Sequence, residues 1–301
     1  MAISRAQLVK ELEPGLNALF GLEYKQYANE HAEIFDTETS DRAFEEEVML
    51  SGFANAAVKP EGQGVTFDDA QETFTARYTN ETIALAFAIT EEAIEDNLYD
   101  RLASRYTKAL ARSMANTKQV KAAAVLNNGF NASFAGGDGK ALFATDHPTL
   151  AGDFSNELAT PAELNETSLE QSLIDIAALT DERGLKIAAQ GTKLIIPSAL
   201  QFTADRLMKS AGRTGTADND INAIKNMGMI PQGYSVNHYL TSAKKFFIMT
   251  DVPNGLKHFN RSPIKTSMEG DFDTGNVRYK ARERYVFGFS DPRGIFGSNA
   301  T

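Results

Sequence analysis

Between Thr90 and Asn127 the sequence carries one uninterrupted helical pattern. At ~1.5 Å per residue it would run roughly 55 Å, well beyond the usual globular helix. Thr90 suits an N-cap, and Glu91, Glu92, Glu95 and Asp96 crowd the first turns. Arg101, Arg105, Lys108, Arg112, Lys118 and Lys121 follow, an order that complements the helix dipole. Ile94, Leu98, Leu102, Tyr106 and Leu110 form an apolar stripe, continued with some drift by Met114 and Ala124. The stripe is too short and Ala-rich for a coiled-coil heptad, and Asn127-Asn128-Gly129 stops it. Far downstream, residues 276 to 290 alternate as a long strand: Val277, Tyr279, Ala281, Glu283, Tyr285 and Phe287 oppose Arg278, Lys280, Arg282, Arg284, Val286 and Gly288. It ends in Asp291-Pro292-Arg293-Gly294-Ile295-Phe296-Gly297.

The remaining segments read less evenly. Residues 1 to 43 suggest an arm of short helical turns, with Leu8, Leu12, Leu16, Leu19 and Phe20 near helical spacing and Pro14-Gly15 interrupting them. The arm is either a small lobe of its own domain or a segment that packs on a neighbour. Residues 44 to 89 read as a long hairpin with its tip at Lys59-Pro60-Glu61-Gly62-Gln63-Gly64. Phe74, Ala76 and Tyr78 share one face of the returning strand, and Ile83, Leu85, Phe87 and Ile89 continue the alternation. A lone two-stranded ribbon is marginally stable, so this one lies on its own domain or on another subunit. Residues 129 to 165 are loop-rich. Residues 166 to 270 read as an α/β unit: helices near 168–183 and 199–209, a buried strand at 193–196, and strands near 234–239 and 245–250. Arg213 to Asp220 form a polar, exposed loop within it.

With 30 Lys and Arg against 40 Asp and Glu, the net charge of −10 argues against a protein built to grip nucleic acid, although it can lie beside DNA. The absence of cysteine excludes disulfides, zinc-thiolate sites and thiol nucleophiles, and fits a reducing cytoplasm. No stretch approaches the ~20 apolar residues that span a bilayer, and the N-terminus lacks the apolar core of a signal peptide.

Chemistry-bearing residues do not converge. His31, His147, His238 and His258 show no metal-ligand spacing. Asp146-His147-Pro148, beside Gly137-Asp138-Gly139, is the best candidate site and reads as a turn in which Asp146 bonds backbone amides. Asp271-Phe272-Asp273-Thr274-Gly275 fails as a calcium loop, because Arg282 stands where the bidentate Glu belongs. The basic face Arg278, Lys280, Arg282, Arg284 reads as a solvated or inter-subunit face paired with acids, such as those of the long helix. Lys59 reads as an ordinary exposed turn lysine, the alternative being an isopeptide bond to a neighbour's Asn. The expectation is therefore no catalytic residue, no cofactor and no metal.

The order of arm, hairpin, long helix, α/β insertion and terminal strands resembles the major capsid protein of tailed bacteriophages, the Hong Kong 97 fold. Locally, Asp138-Gly139-Lys140-Ala141-Leu142-Phe143 with His147 is similar to the Mu-type head subunit. So are Gly184-Leu185-Lys186 leading to Leu194-Ile195-Ile196-Pro197, Ala204-Asp205-Arg206-Leu207, and Asn219-Asp220-Ile221-Asn222. The resemblance implies an α+β chain with an N-terminal arm (1–44), an extended hairpin loop (45–88), a peripheral domain with a spine helix (89–128 and 271–301) and an α/β axial domain (129–270). It implies hexamers and pentamers tiling an icosahedral shell that encloses double-stranded DNA without specific binding, assembled in the host bacterial cytoplasm. A portal and a possible decoration protein would be partners. Because the chain begins almost directly with the arm, a separate scaffolding protein is expected. Subunit contacts are expected from Phe53, Val58, Lys59, Val65, Phe67, Phe74 and Tyr78 of the hairpin. Further contacts are expected from Arg213, Thr214, Asp218 and Asp220 at the axial tip. The rivals are an encapsulin-type nanocompartment shell and a soluble α/β enzyme using Asp138, Asp146 and His147.

Overall fold

A computed structural model of the chain describes residues 5–90, 92, 99–213, 220–271 and 275–300. In chain order these form helix α1 (Arg5–Gln26), strands β1 (Asp36–Thr39), β2 (Phe44–Leu50), β3 (Glu72–Thr79) and β4 (Glu81–Ile89), and the long helix α2 (Tyr99–Asn127). Then come α3 (Glu166–Ala178), β5 (Gly191–Ile196), α4 (Gln201–Lys209), α5 (Ala223–Met227), β6 (Tyr234–Val236) and β7 (Phe246–Thr250). The chain closes with β8 (Leu256–Gly270), β9 (Val277–Phe289) and β10 (Ile295–Ser298). One four-stranded sheet has the order β1-β8-β9-β4 and a second has β10-β7-β5-β6, while β2 and β3 form a separate ribbon.

Strand β9 behaves as its alternation predicts. Tyr279, Ala281, Glu283 and Tyr285 are buried and Arg278, Lys280 and Arg282 exposed, so one face lies on α2 and the other meets solvent. Its antiparallel partner β4 places Phe87 opposite Tyr279 and Leu85 opposite Ala281. Residues 81–89, expected as a continuation of the hairpin, are therefore part of this sheet. On the other side β9 pairs with β8, a strand the sequence reading passed over. Its register shifts between Asn260 and Lys265, where Pro263 supplies no amide; a bulge accommodates that loss.

Helix α2 buries Ala103, Leu110, Ala111 and Met114 with Tyr279 and Ala281 of β9. Small side chains let helix and sheet approach closely, which leaves the expected stripe only partly filled. Tyr106 stays half in solvent, its ring against Phe87 with centroids 5.7 Å apart. Thr90, the expected N-cap, is exposed and precedes positions 91 and 93–98, which lie outside the described residues, as do the side chains of Ile94, Leu98 and Leu102.

The arm is one continuous helix containing Pro14, not a set of broken turns. Proline removes one intrahelical bond at a cost of ~3 kcal/mol. Burial of Leu16 and Phe20 against α2 and β9 offsets it. Asn17 Oδ1 accepts hydrogen bonds from Thr266 at 2.7 Å and Tyr279 at 2.8 Å, tying α1 to β8 and β9.

The second sheet packs α3, α4 and α5 around Leu169, Leu173, Ile176, Leu194, Ile196, Phe246 and Ile248. Helix α3 is N-capped by Asn165 in a reciprocal capping box with Ser168. It ends at Ala178, before the expected 183, because Leu179 turns extended and Thr180 bridges Lys186. Strand β10 pairs with β7, so the last strand joins this sheet, although the sequence-based partition grouped it with the long helix. A third cluster, with Leu126, Leu142, Phe143, Ile195, Phe247 and Ile295, welds the end of α2 to this sheet. Phe143 stacks on both Phe130 at 4.6 Å and Phe247 at 5.2 Å, and those two rings lie 6.3 Å apart.

Where the arm meets the sheet, two histidines are buried. His31 and His258 rings lie 5.4 Å apart, and His258 stacks on Phe287 at 4.3 Å. Burial, and secondarily the positive Lys118, lowers His31 to about 4. Burial, then Lys118 and His31, lowers His258 to about 3. Both are neutral in the folded chain at neutral pH, whereas the unfolded chain takes up protons below pH ~6.5. Their contribution is thus complete above that pH and is lost as pH falls from there toward about 4 and then about 3. Chemical denaturation should show stability dropping by roughly 3 kcal/mol for His31 and roughly 5 kcal/mol for His258 over that range, and His258→Phe should remove the larger share of the slope. Phe20→Ala should cost ~3–5 kcal/mol and make α1 the first segment cut in limited proteolysis.

Candidate functional site

The ribbon is anchored at its root and bare beyond it. Register pairs Phe44 with Thr79, Glu46 with Arg77 and Val48 with Thr75, so alternate residues face opposite ways. The inward face is tied to the chain's own sheets. Tyr78 is 3% exposed, its hydroxyl bonds Ser290, and its ring tilts on Phe259 with centroids 4.8 Å apart. A side chain at position 288 would strike that ring, since a Cβ there would sit 2.7 Å from it, so Gly288 creates the seat. Glu47 bonds Ser290 and lies 3.7 Å from Lys257, which also pairs with Glu38. Tyr78 is therefore an anchor within its own subunit and not, as expected, a contact for a neighbour. The alternation identified its face but not the element that covers it.

The outward face carries an uncovered apolar strip between charged residues such as Glu46 and Arg77. Phe44, Val48 and Leu50 are exposed on it, and the Arg77 guanidinium lies 3.9 Å over the Phe44 ring. These three residues were missed by sequence reading, although the i, i+2 spacing of Val48 and Leu50 beside Glu46 carried the signal. The strip continues through Phe53 and Val65, both exposed, to Val58 and Phe67, each 93% exposed. Phe74 is half-buried and Lys59 is exposed at the tip. The two arms of the loop are held together by Ser51 N–H donating to Gln71 O at 2.8 Å and Ala54 N–H donating to Asp68 at 2.7 Å. Arg183 steadies the loop from the second sheet by donating to Asp69 O at 2.7 Å. That ladder keeps an apolar strip in water that a lone subunit has no means to bury.

In the lobe built on the second sheet, Arg213 bonds Glu166 at 2.8 Å and its amide donates to Asp220 O at 2.8 Å, closing the neck of the expected axial loop. Asp220 is exposed; Thr214 and Asp218 lie outside the described residues. Phe202, Ile221 and Met227 of the same lobe are large exposed apolar residues that the sequence reading did not select.

The candidate enzyme site is a packing hub. His147 is 0% exposed; Nδ1 lies 2.6 Å from Asp138 and Nε2 3.2 Å from Asn156 Oδ1. The Asn156 amide donates to Leu142 O at 2.7 Å and Pro292 O at 2.9 Å, pinning this loop to the C-terminal segment. His147 stacks on Phe154, and Arg293 lies over the same ring at 4.3 Å while donating to Glu182 at 2.8 Å. Exposed Asp146 pairs with half-buried Lys140; the loop amide at Lys140 is bonded by Asp138 instead. Asp271 and Gly275 close a turn, with Asp271 paired to Arg278. No cluster of His, Asp or Glu suited to a metal occurs among the described residues, and none of their helices is long and apolar enough to cross a membrane. The acids of the long helix expected to pair with the β9 basic row lie largely outside the described residues.

The profile of the phage capsid protein family matches residues 72–298. No curated protein matches the sequence. Among solved structures, the capsid of an empty GTA particle aligns with TM-score 0.57 and 13% identity, covering 91% of each chain. The virus-like particle from Pyrococcus furiosus aligns with TM-score 0.53 and 9% identity, over 94% of this chain and 98% of that one. The capsid of Myoviridae phage XM1 gives TM-score 0.53 at 8% identity, over 89% of each chain. With an α+β fold of the Hong Kong 97 type and a family match across most of its length, the chain belongs to the phage capsid protein family as a structural major capsid protein of the virion shell.

Proposed function

We propose that this subunit assembles as hexamers and pentamers into an icosahedral shell around double-stranded DNA, in the host bacterial cytoplasm, and that it carries no catalytic activity. The uncovered strip of Phe44, Val48, Leu50, Phe53, Val58, Val65 and Phe67 on a root-anchored ribbon supports this reading most directly. An apolar strip held in solvent by its own hydrogen bonds is an interface awaiting a partner. The hairpin, now residues 44–79, supplies one set of contacts and the Arg213–Asp220 loop around the symmetry axes supplies another. A peripheral unit built on α1, α2, β4, β8 and β9 and an axial unit built on the β10-β7-β5-β6 sheet complete the subunit. The reading adds a separate scaffolding protein, a portal and a possible decoration protein as partners.

Deleting residues 55–68 should abolish closed shells in electron micrographs while circular dichroism and the melting curve of the soluble subunit stay close to wild type. Normal shells from that deletion would contradict the assignment. The double variant Val58→Ser/Phe67→Ser should raise the critical concentration for assembly at least tenfold, since each buried apolar side chain contributes ~1.5–3 kcal/mol. On denaturing gels of assembled wild-type shells, a single monomer band is expected, with Lys59 forming no covalent link.

A further inference from the structure

We propose that the exposed edge of α2 is a weak contact surface for the phosphate backbone of double-stranded DNA, a role that rests on the shell reading above. Arg105, Lys108 and Arg112 are all exposed. At 3.6 residues per turn, positions i, i+3 and i+7 fall within one narrow arc, and ~1.5 Å per residue puts them on a line about 10 Å long. Ala109, Asn116 and Val120 are exposed on the same side, so no bulky side chain stands above the cations. No acidic side chain among the described residues forms an ion pair with Arg105, Lys108 or Arg112. The opposite side of α2, with Leu110, Ala111 and Met114, is consumed by α1 and β9.

The molecule has a second basic face, and the two fit different anions. Arg278, Lys280 and Arg282 of β9 stand on the flat side of the sheet that α2 does not cover, flanked by Ala84, Ala86 and Ala88 of β4. A flat row of small residues and cations suits a flat acidic ribbon, and the hairpin is one: Glu45, Glu46, Glu47, Glu61, Asp68, Asp69 and Glu72 outweigh Lys59 and Arg77. The α2 edge is instead convex. A helix with its side chains is ~10–12 Å across, comparable to the ~12 Å major groove, and it follows a phosphate backbone without needing to read bases. The overall charge of −10 keeps such contacts few and reversible, as a wall that must later release its genome requires.

The test is fluorescence anisotropy of the full-length protein with a generic 30-base-pair duplex, titrated across salt. Three phosphate contacts predict a log–log salt slope near about −2.7, a loss of roughly 40-fold between about 50 and 200 mM salt. Arg105→Gln/Lys108→Gln/Arg112→Gln should flatten that slope toward zero. Arg278→Gln/Lys280→Gln/Arg282→Gln should leave it unchanged. These are exposed positions, so both triple variants should melt like wild type. The proposal is overturned if wild-type protein shows no salt-dependent binding, if the α2 variant keeps the slope, or if the β9 variant loses it instead. It is equally overturned if the α2 variant binds duplex normally but fails to form shells with its neighbouring genes, which would assign the stripe to an acidic protein partner. Shell formation by both variants is scored separately by electron microscopy, so failure of the assembly reading is distinguishable from failure of DNA contact.

Discussion

Strand β9 is the element on which the other parts of the subunit depend. It is paired along both edges, by β4 and by β8, and its inner residues Tyr279 and Ala281 form the floor on which α1 and α2 lie. At its end, Gly288 and Ser290 seat Tyr78, and with it the root of the hairpin. A central strand of this kind is fixed in register, since a slip of one residue would drive Arg278, Lys280 and Arg282 into the core. Rigidity at the root is what lets the ribbon project its apolar face into solvent and still present it in a defined direction.

The buried polar groups divide between two tasks. Around His147, Asn156 and Arg293 they tie irregular loops to the C-terminal segment, with nearly every partner supplied by the chain itself. Around Lys118, Glu283, His31 and His258 they join the arm to the sheet less completely. Glu283 Oε1, Tyr285 Oη and His258 Nε2 have no hydrogen-bond partner among the described residues, and burial raises the Glu283 carboxyl despite Lys118 nearby. Unpaired buried polar atoms cost ~1–3 kcal/mol each. The arm junction is thus the weaker of the two, and it holds His31 and His258, whose lowered values make it acid-sensitive.

Periodicity carried much of this fold into the sequence. The alternation of β9 gave both its faces, and the helix pattern gave α2 to within a residue at its C-terminus. What remained hidden was partnership. β8 escaped notice because Pro263 and its polar neighbours sit at a bulge, and β4 read as a hairpin arm because alternation shows that a residue pair of faces exists without showing which strand completes the ladder. Pro14 masked α1, whose stability comes from packing and not from local propensity. At the candidate site, Val58 and Phe67 were legible as apolar residues in turn-rich sequence that nothing local could bury. Tyr78 was misassigned and Phe44 overlooked for one reason: which side of a ribbon its own subunit covers depends on contacts more than 170 residues away, at Phe259 and Ser290.

The most direct test of a shell subunit is negative-stain electron microscopy of the purified protein, expressed with and without its neighbouring genes. The account predicts closed icosahedral particles, or rings of five and six subunits, in at least one of the two preparations. Small discrete oligomers in both would contradict it.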